Sequence, residues 1–180
     1  MIRAFGGKTP RIHPSAFVAD DAVIIGDVEI GPEANVWYGC VLRGDVHFIS
    51  IGARTNLQDG TIVHTDRGSN PAIIEEEVSV SHGVILHGCT VRRGALIGMR
   101  AVLLSGCEVE EGAIVGAGAL VPEGATVPPD VLVLGVPAKV QRSVTEQERV
   151  RSGRTVRNYL EYLRAMKDDG FGQSLEPFAP

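Results

Sequence analysis

Aromatic side chains are scarce in this 180-residue chain: Phe, Trp and Tyr make up 5% of it, against 44% for all hydrophobic residues. An interior built without large rings is filled by small and aliphatic side chains. Cysteine is scarcer still, since Cys40, Cys89 and Cys107 are odd in number and have no C-x-x-C spacing. They read as reduced, buried small side chains rather than a disulfide framework. Net positive charge is missing too. A formal charge of -5 leaves no electrostatic footprint for nucleic acid or anionic lipid. No apolar run is long enough to span a membrane, and the N-terminal M-I-R-A-F-G-G-K has no apolar signal core, which points to the cytoplasm. The excess is in glycine, with 22 residues, which predicts many turns.

What the chain does have is a period of six. Aliphatic residues recur at Ile12, Val18, Ile24, Ile30, Val36 and Leu42, resume at Ile51, Leu57 and Val63, and resume again at Ile74, Val80 and Leu86. After one step of five, the series runs through Val91, Ile97, Leu103, Val109, Val115, Val121 and Val127. Four positions on there is often a small residue, such as Ala34, Thr55, Thr61, Ala101, Ala119 or Ala125. Six matches neither the 3.6 of an amphipathic helix nor the 2 of a strand. It predicts an all-β solenoid of hexapeptide repeats, three units to a triangular coil, with the aliphatic residue pointing inward. A sandwich of Val/Gly-rich strands would need turn signals at a different spacing.

The pattern changes after Pro137. Thr145 and Glu148 match a capping box, and Val156, Leu160, Leu163 and Met166 lie near helical spacing. The expected arrangement is a short helix from Thr145, a break at Ser152-Gly153, and a longer helix to Lys167, packed antiparallel on the coil and covering exposed β edges. The tail from Asp168, with Gly170, Gly172, Pro177 and Pro180, reads as irregular and frayed. Residues 1–140 therefore form the solenoid, and residues 141–180 a helical segment with its tail.

Three of the five histidines, His64, His82 and His87, cluster in one window of the repeat. Imidazole is the commonest ligand of zinc-type cations, and ligating rings must converge to bonds of about 2.0–2.1 Å. His64 and His87 each follow an inward aliphatic residue, so they share a phase on stacked coils. His82 and His87, five apart on extended chain, are up to about 16 Å apart at their Cα atoms. The simplest arrangement takes His64 and His87 from one chain and His82 from a neighbour, which requires a cyclic oligomer. His13 and His47 read as surface residues, His47 near the rim of the site.

R-G-D at 43–45, I-G-A-R-T-N-L-Q-D-G at 51–60, V-H-T at 63–65, S-H-G-V-I-L-H-G-C at 81–89 and L-I-G-M-R-A-V at 96–102 together resemble the gamma-class carbonic anhydrases and their close relatives. The likeness covers residues 12–142 and, more weakly, the terminal helix. It implies a left-handed parallel β-helix, a homotrimer, and a Zn2+ ion (or Fe2+ or Co2+) at each subunit interface. The implied ligands are His64, His82 and His87, with His82 from the adjacent subunit. The implied reaction is reversible hydration of CO2 to bicarbonate by a hydroxide on the metal. Gln58 matches a residue that hydrogen-bonds metal-bound solvent or substrate, a role for an amide that both donates and accepts. Arg43 and Asp59 match an interface ion pair and Asp45 a neighbouring polar network; buried charges at a seam must pair in any case, so structural and catalytic roles stay open for all three. Tyr159 resembles a tyrosine that some relatives place near the metal; core packing is its other role, and Tyr162 competes for the match.

Two departures bear on activity. The segment D-R-G-S-N-P-A after His64 is short and lacks the glutamate of the archaeal-type loop, and Val46 stands where that type has another glutamate. Glu75, Glu76 and Glu77 lie close in sequence, on an expected solvated edge. Other functions share the solenoid: a hexapeptide acyltransferase or a metal-dependent thioesterase acting on an acyl-coenzyme A, or a non-catalytic metal-stabilised trimeric scaffold. The acyltransferase reading leaves three convergent histidines unexplained.

Overall fold

The computed structural model describes residues 1–175; Pro177 and Pro180 lie outside them. Each hexapeptide forms a strand of two or three residues and a turn, and strands three units apart pair in parallel to build a left-handed β-helix. Leu57 lies in register with Val36 and Val80, and Leu86 with Val63 and Leu103. Every aliphatic residue of the six-residue series is buried, so the inward stack is one continuous column. Full burial of each such side chain contributes about 1.5–3 kcal/mol.

The coil has three faces. Phe17–Val18, Asn35–Val36, Asn56–Leu57, Ser79–Val80, Leu96–Ile97 and Ile114–Val115 form the first. Ile62–His64, Ile85–His87, Val102–Leu103 and Leu120–Val121 form the second, and Ala72–Ile74, Thr90–Val91, Glu108–Val109 and Thr126–Val127 the third. Two long strands, Val23–Ile30 and Val41–Ile51, run unbroken from the second face into the third.

The interruptions of the repeat all fall at the corner between the second and third faces. Register holds from Val23↔Val41 to Gly26↔Gly44 and then shifts to Val28↔Ile49, so residues 45–48 bulge outward. A Cβ on Gly44 would lie 2.5 Å from the Asp27 carbonyl oxygen, so only glycine fits where the bulge begins. On the next coil residues 65–71 form a loop between Ile62–His64 and Ala72–Ile74. The five-residue step after Leu86 turns the same corner.

One uninterrupted helix, Glu146–Asp168, replaces the expected pair. An interior glycine costs about 1 kcal/mol relative to alanine but does not stop a helix, and here packing of Leu163, Tyr159 and Met166 on the core outweighs Gly153. The capping box is present: Thr145 Oγ1 accepts from the Glu148 backbone N–H, and the Glu148 carboxylate accepts from that of Thr145. The helix runs back towards the first coils, where Arg164 pairs with Glu33 and Lys167 Nζ donates to the carbonyls of Pro14 and Ala16. It covers the first face rather than the sheet edges. One edge is closed instead by the antiparallel pairing of Val131–Leu134 with Lys139–Ser143. The tail as far as residue 175 is irregular but pinned, not frayed. The Gln173 backbone N–H donates to Val18 O at 2.8 Å, and its side chain to Ala19 O and Ala22 O at 2.9 and 2.8 Å.

Candidate metal centre

His64 and His87 end neighbouring strands of the second face, paired directly across one coil step. Both follow a fully buried aliphatic residue, Val63 or Leu86, so both rings point outward from a fixed backbone. Nδ1 of His64 lies 3.2 Å from Nε2 of His87. The other nitrogen of each ring has its own partner. His64 Nε2 donates to Asp45 Oδ1 at 3.0 Å, and His87 Nδ1 lies 2.9 Å from Ser105 Oγ and 3.6 Å from Asp66 Oδ1. Because a carboxylate only accepts, Asp45 fixes the His64 proton on Nε2 and leaves Nδ1 with a bare lone pair. A His87 proton held towards Ser105 and Asp66 leaves Nε2 bare as well. Two lone pairs then face each other across a gap that a cation between them relieves.

The spacing fits such a cation. Two nitrogens about 2.05 Å from one tetrahedral ion are about 3.3 Å apart. The bulge at residues 45–48 supplies the Asp45 carboxylate, which Arg43 Nη1 holds at 2.5 Å. Burial pushes the Asp45 carboxyl up, but the hydrogen bonds from Arg43 and His64 outweigh it and hold it below the usual range. Asp66, from the 65–71 loop, is likewise held low by hydrogen bonds from Asn70 and Ser105. Ser105 and Asp66 are the site residues that sequence reasoning missed. Asp66 lies two residues after His64, but Ser105 is brought alongside only by stacking of the coils.

His82 does not join this pair. It occupies the turn between the first and second faces, at the far edge of the second, where Nδ1 lies 2.9 Å from Asp59 Oδ2. Among the described residues, no three His, Cys, Asp or Glu side chains converge on one point. Arg43 and Asp59, expected as a pair, are not paired within the chain: Arg43 holds Asp45 and Asp59 holds His82. Gln58, only 4% exposed, precedes Asp59, and its Nε2 donates to Asn56 Oδ1 at 3.0 Å. Tyr159 packs against Trp37 with ring centroids 5.4 Å apart, and burial, then Asp59 and Tyr162, push its phenol up to about 12. Tyr162 is the more exposed of the two. The chemistry-bearing residues thus fall into two half-sites on opposite edges of one face: Arg43, Asp45, His64 and His87 on one, Gln58, Asp59 and His82 on the other.

His13 is exposed and bonded to Ser15, as expected of a surface residue; His47 is half-buried, its ring against Phe48. Glu75, Glu76 and Glu77 are partly exposed, as expected of a solvated edge, and are ion-paired there to Arg92, Arg93 and Arg54. The three cysteines are free and buried.

No family model matches the chain. A carbonic anhydrase of Geobacillus kaustophilus is 48% identical over 170 residues, 93% of this chain and 93% of that protein. The mitochondrial gamma carbonic anhydrase 2 of Arabidopsis thaliana is 43% identical over 158 residues, 85% of this chain and 57% of the plant protein. A Bacillus cereus protein whose crystal structure carries an acetyltransferase label superposes with a TM-score of 0.91 at 43% identity, over 93% of this chain and 97% of that one. The chain belongs to the gamma-class carbonic anhydrase-like family of hexapeptide-repeat β-helix proteins, and by that membership is a gamma-type carbonic anhydrase-like lyase.

Proposed function

We propose that the protein catalyses the reversible hydration of CO2 to bicarbonate at a divalent metal site shared between neighbouring chains of a homotrimer. The carrying observation is the His64–His87 pair, its outer nitrogens held by Asp45 and Ser105 and its inner nitrogens 3.2 Å apart. Those two residues of one chain and His82 of the next would hold the ion, with zinc suited to three neutral imidazoles and Fe2+ or Co2+ as alternatives. Bound there, the ion would supply the Lewis acidity that lowers the pKa of water toward neutral.

The chain's own residues do the rest. Asp45 orients His64 and is itself held by Arg43. Asp59 orients His82 in the same way on the opposite edge. Gln58, on the His82 half, keeps its amide oxygen and one N–H for solvent or substrate once Asn56 has taken the other N–H. The trimer is supported by a row of outward aliphatics between the two half-sites: Val41, Ile62, Ile85, Val102 and Leu120 stack on successive coils. Nothing in the site calls for an acyl-coenzyme A donor. An assembly that keeps the metal without turnover would make the protein a scaffold.

Complementation tests the shared site. His64→Ala and His82→Ala chains, each expected to lose the metal alone, are unfolded together in equal amounts and refolded. Every mixed trimer contains one intact site, and about three quarters of random trimers are mixed, so about a quarter of all sites should regain metal and CO2-hydration activity together. Metal content no higher than in the separately refolded variants, with mixed trimers present, would place all three ligands in one chain.

A further inference from the structure

In a chain with so few rings, all three tyrosines and the single tryptophan line one pocket of about 400 Å3. Trp37, Tyr38, Tyr159 and Tyr162 form its walls, and Asp59 and Asp169 contribute carboxylates. It lies between the terminal helix and the turn that carries Asp59. Trp37 meets Tyr159 at 5.4 Å and 77°, and Tyr159 meets Tyr162 at 5.6 Å and 77°, so successive rings pack edge to face into one continuous aromatic wall. Phe17 supports the indole at 5.2 Å, and the indole N–H is taken by Asn35 Oδ1 at 2.7 Å. That leaves the ring system, not its donor, for a ligand.

The charged residues that line it are both carboxylates. Tyr38 is raised above its ordinary pKa by burial and then by Asp20, Asp21 and Asp59. The nearest helix cations are engaged elsewhere: Arg164 with Glu33, Lys167 with backbone carbonyls. Aromatic faces attract cations through their quadrupole, and carboxylates at the rim add to the same field. A phosphate-bearing or carboxylate ligand would be repelled by that field. An uncharged ligand without hydrogen-bond donors would gain nothing from the carboxylates.

We propose that this pocket binds a small organic cation carrying an alkylated ammonium head, seated against the aromatic wall of Trp37, Tyr38, Tyr159 and Tyr162 and balanced by Asp169, with the His82-bound Asp59 adding to the field. The pocket lies across the second face from the His64–His87 pair and shares Asp59 with the His82 half-site. It goes beyond the CO2 reaction, in which no organic cation takes part.

Trp37 supplies the readout, being the only tryptophan of the chain. Choline is titrated against wild-type protein while indole emission is followed, with 3,3-dimethyl-1-butanol, the uncharged molecule of the same shape, as the paired probe. Choline should give a saturable change with a midpoint on the order of millimolar, and the alcohol should bind about 5–30-fold more weakly. Tyr162→Leu, at a residue 51% exposed, and Asp169→Asn should each weaken choline binding several-fold while leaving the fold and metal content unchanged. Equal binding of the two probes would make the pocket a plain apolar slot and overturn the proposal. So would a flat titration to about 100 mM choline in the folded assembly, the result expected if a neighbouring chain's side chain fills the pocket. A choline response unchanged in Tyr162→Leu would also overturn it. Metal analysis on the same samples keeps this outcome apart from that of the shared metal site.

Discussion

The second and third faces of the coil have the same interior and opposite exteriors. Inward, both present fully buried aliphatics on every coil, such as Val63, Leu86 and Leu103 on one and Ile51, Ile74 and Val91 on the other. Outward, in register, the second carries Val41, Ile62, Ile85, Val102 and Leu120, whereas the third carries Arg11, Glu29, Ser50, Ile73, Thr90, Glu108 and Thr126. Closing the coil requires only the inward column, so an aliphatic exterior on one face serves something outside the chain. Ile62 and Ile85 are 43% and 39% exposed, and they lie between the two half-sites. A contiguous apolar row flanked by polar chemistry has the character of an interface core.

Charging that row is the strongest way to break the comparison. Ile62→Asp with Ile85→Asp puts two carboxylates into a seam that would have to desolvate them, so sedimentation should show monomers in place of trimers. Metal content should fall from about one ion per chain to near zero, because each half-site loses its other half. Ile73→Asp with Thr90→Asp, the same charges on the third face, should leave both assembly and metal unchanged. Trimers surviving the first pair, or dissociating with the second, would move the interface to another face.

The inward column should behave the opposite way, treating the two faces alike. Leu86→Ala and Ile74→Ala each remove a fully buried side chain from a continuous stack. Each should cost about 2–5 kcal/mol in denaturant unfolding of the metal-free protein, with little difference between them. A much larger loss at Leu86 would show that the metal-bearing face is also the more tightly packed one.

This division explains what the sequence could tell. The inward column was legible because its period of six repeats on every coil, whatever the outward residue. The His64–His87 pair was legible from its shared phase, and the separation of His82 from it was legible because extended backbone limits how close His82 and His87 can come. Interruptions of the period carried more than they first suggest. The offset after Leu42, the insertion after Val63 and the short step after Leu86 all turn one corner, and they deliver Asp45, Asp66 and the His64–His87 pair to it. Ser105 gave no signal, since only coil stacking puts it beside His87. The supposed break at Ser152-Gly153 failed because a local propensity of about 1 kcal/mol was set against tertiary packing. The tail misled for the same reason: Gly170 and Gly172 suggested fraying, but the Gln173 side chain finds two carbonyls of the first coil.

The first face allows a finer version of the comparison, since it is the face the chain covers with its own helix. Its outward row mixes Phe17, Asn35, Asn56, Ser79, Leu96 and Ile114, and that cover depends on the helix starting where the last coil ends. The start is set by Thr145, whose Oγ1 accepts from the Glu148 N–H at 3.3 Å while Glu148 Oε2 accepts from the Thr145 N–H at 2.8 Å. Arg142 grips the same carboxylate from the last strand at 2.8 and 2.9 Å, which ties helix to coil. Thr145→Ala removes the hydroxyl acceptor and should destabilise the protein by about 1 kcal/mol, a fall of about 2–4 °C in Tm for a chain of this size. Metal content should not change, because the second face keeps its aliphatic row and both half-sites. Loss of metal in step with Tm would mean that the helix-covered face and the interface face form one cooperative unit, and that the outward rows are not independent.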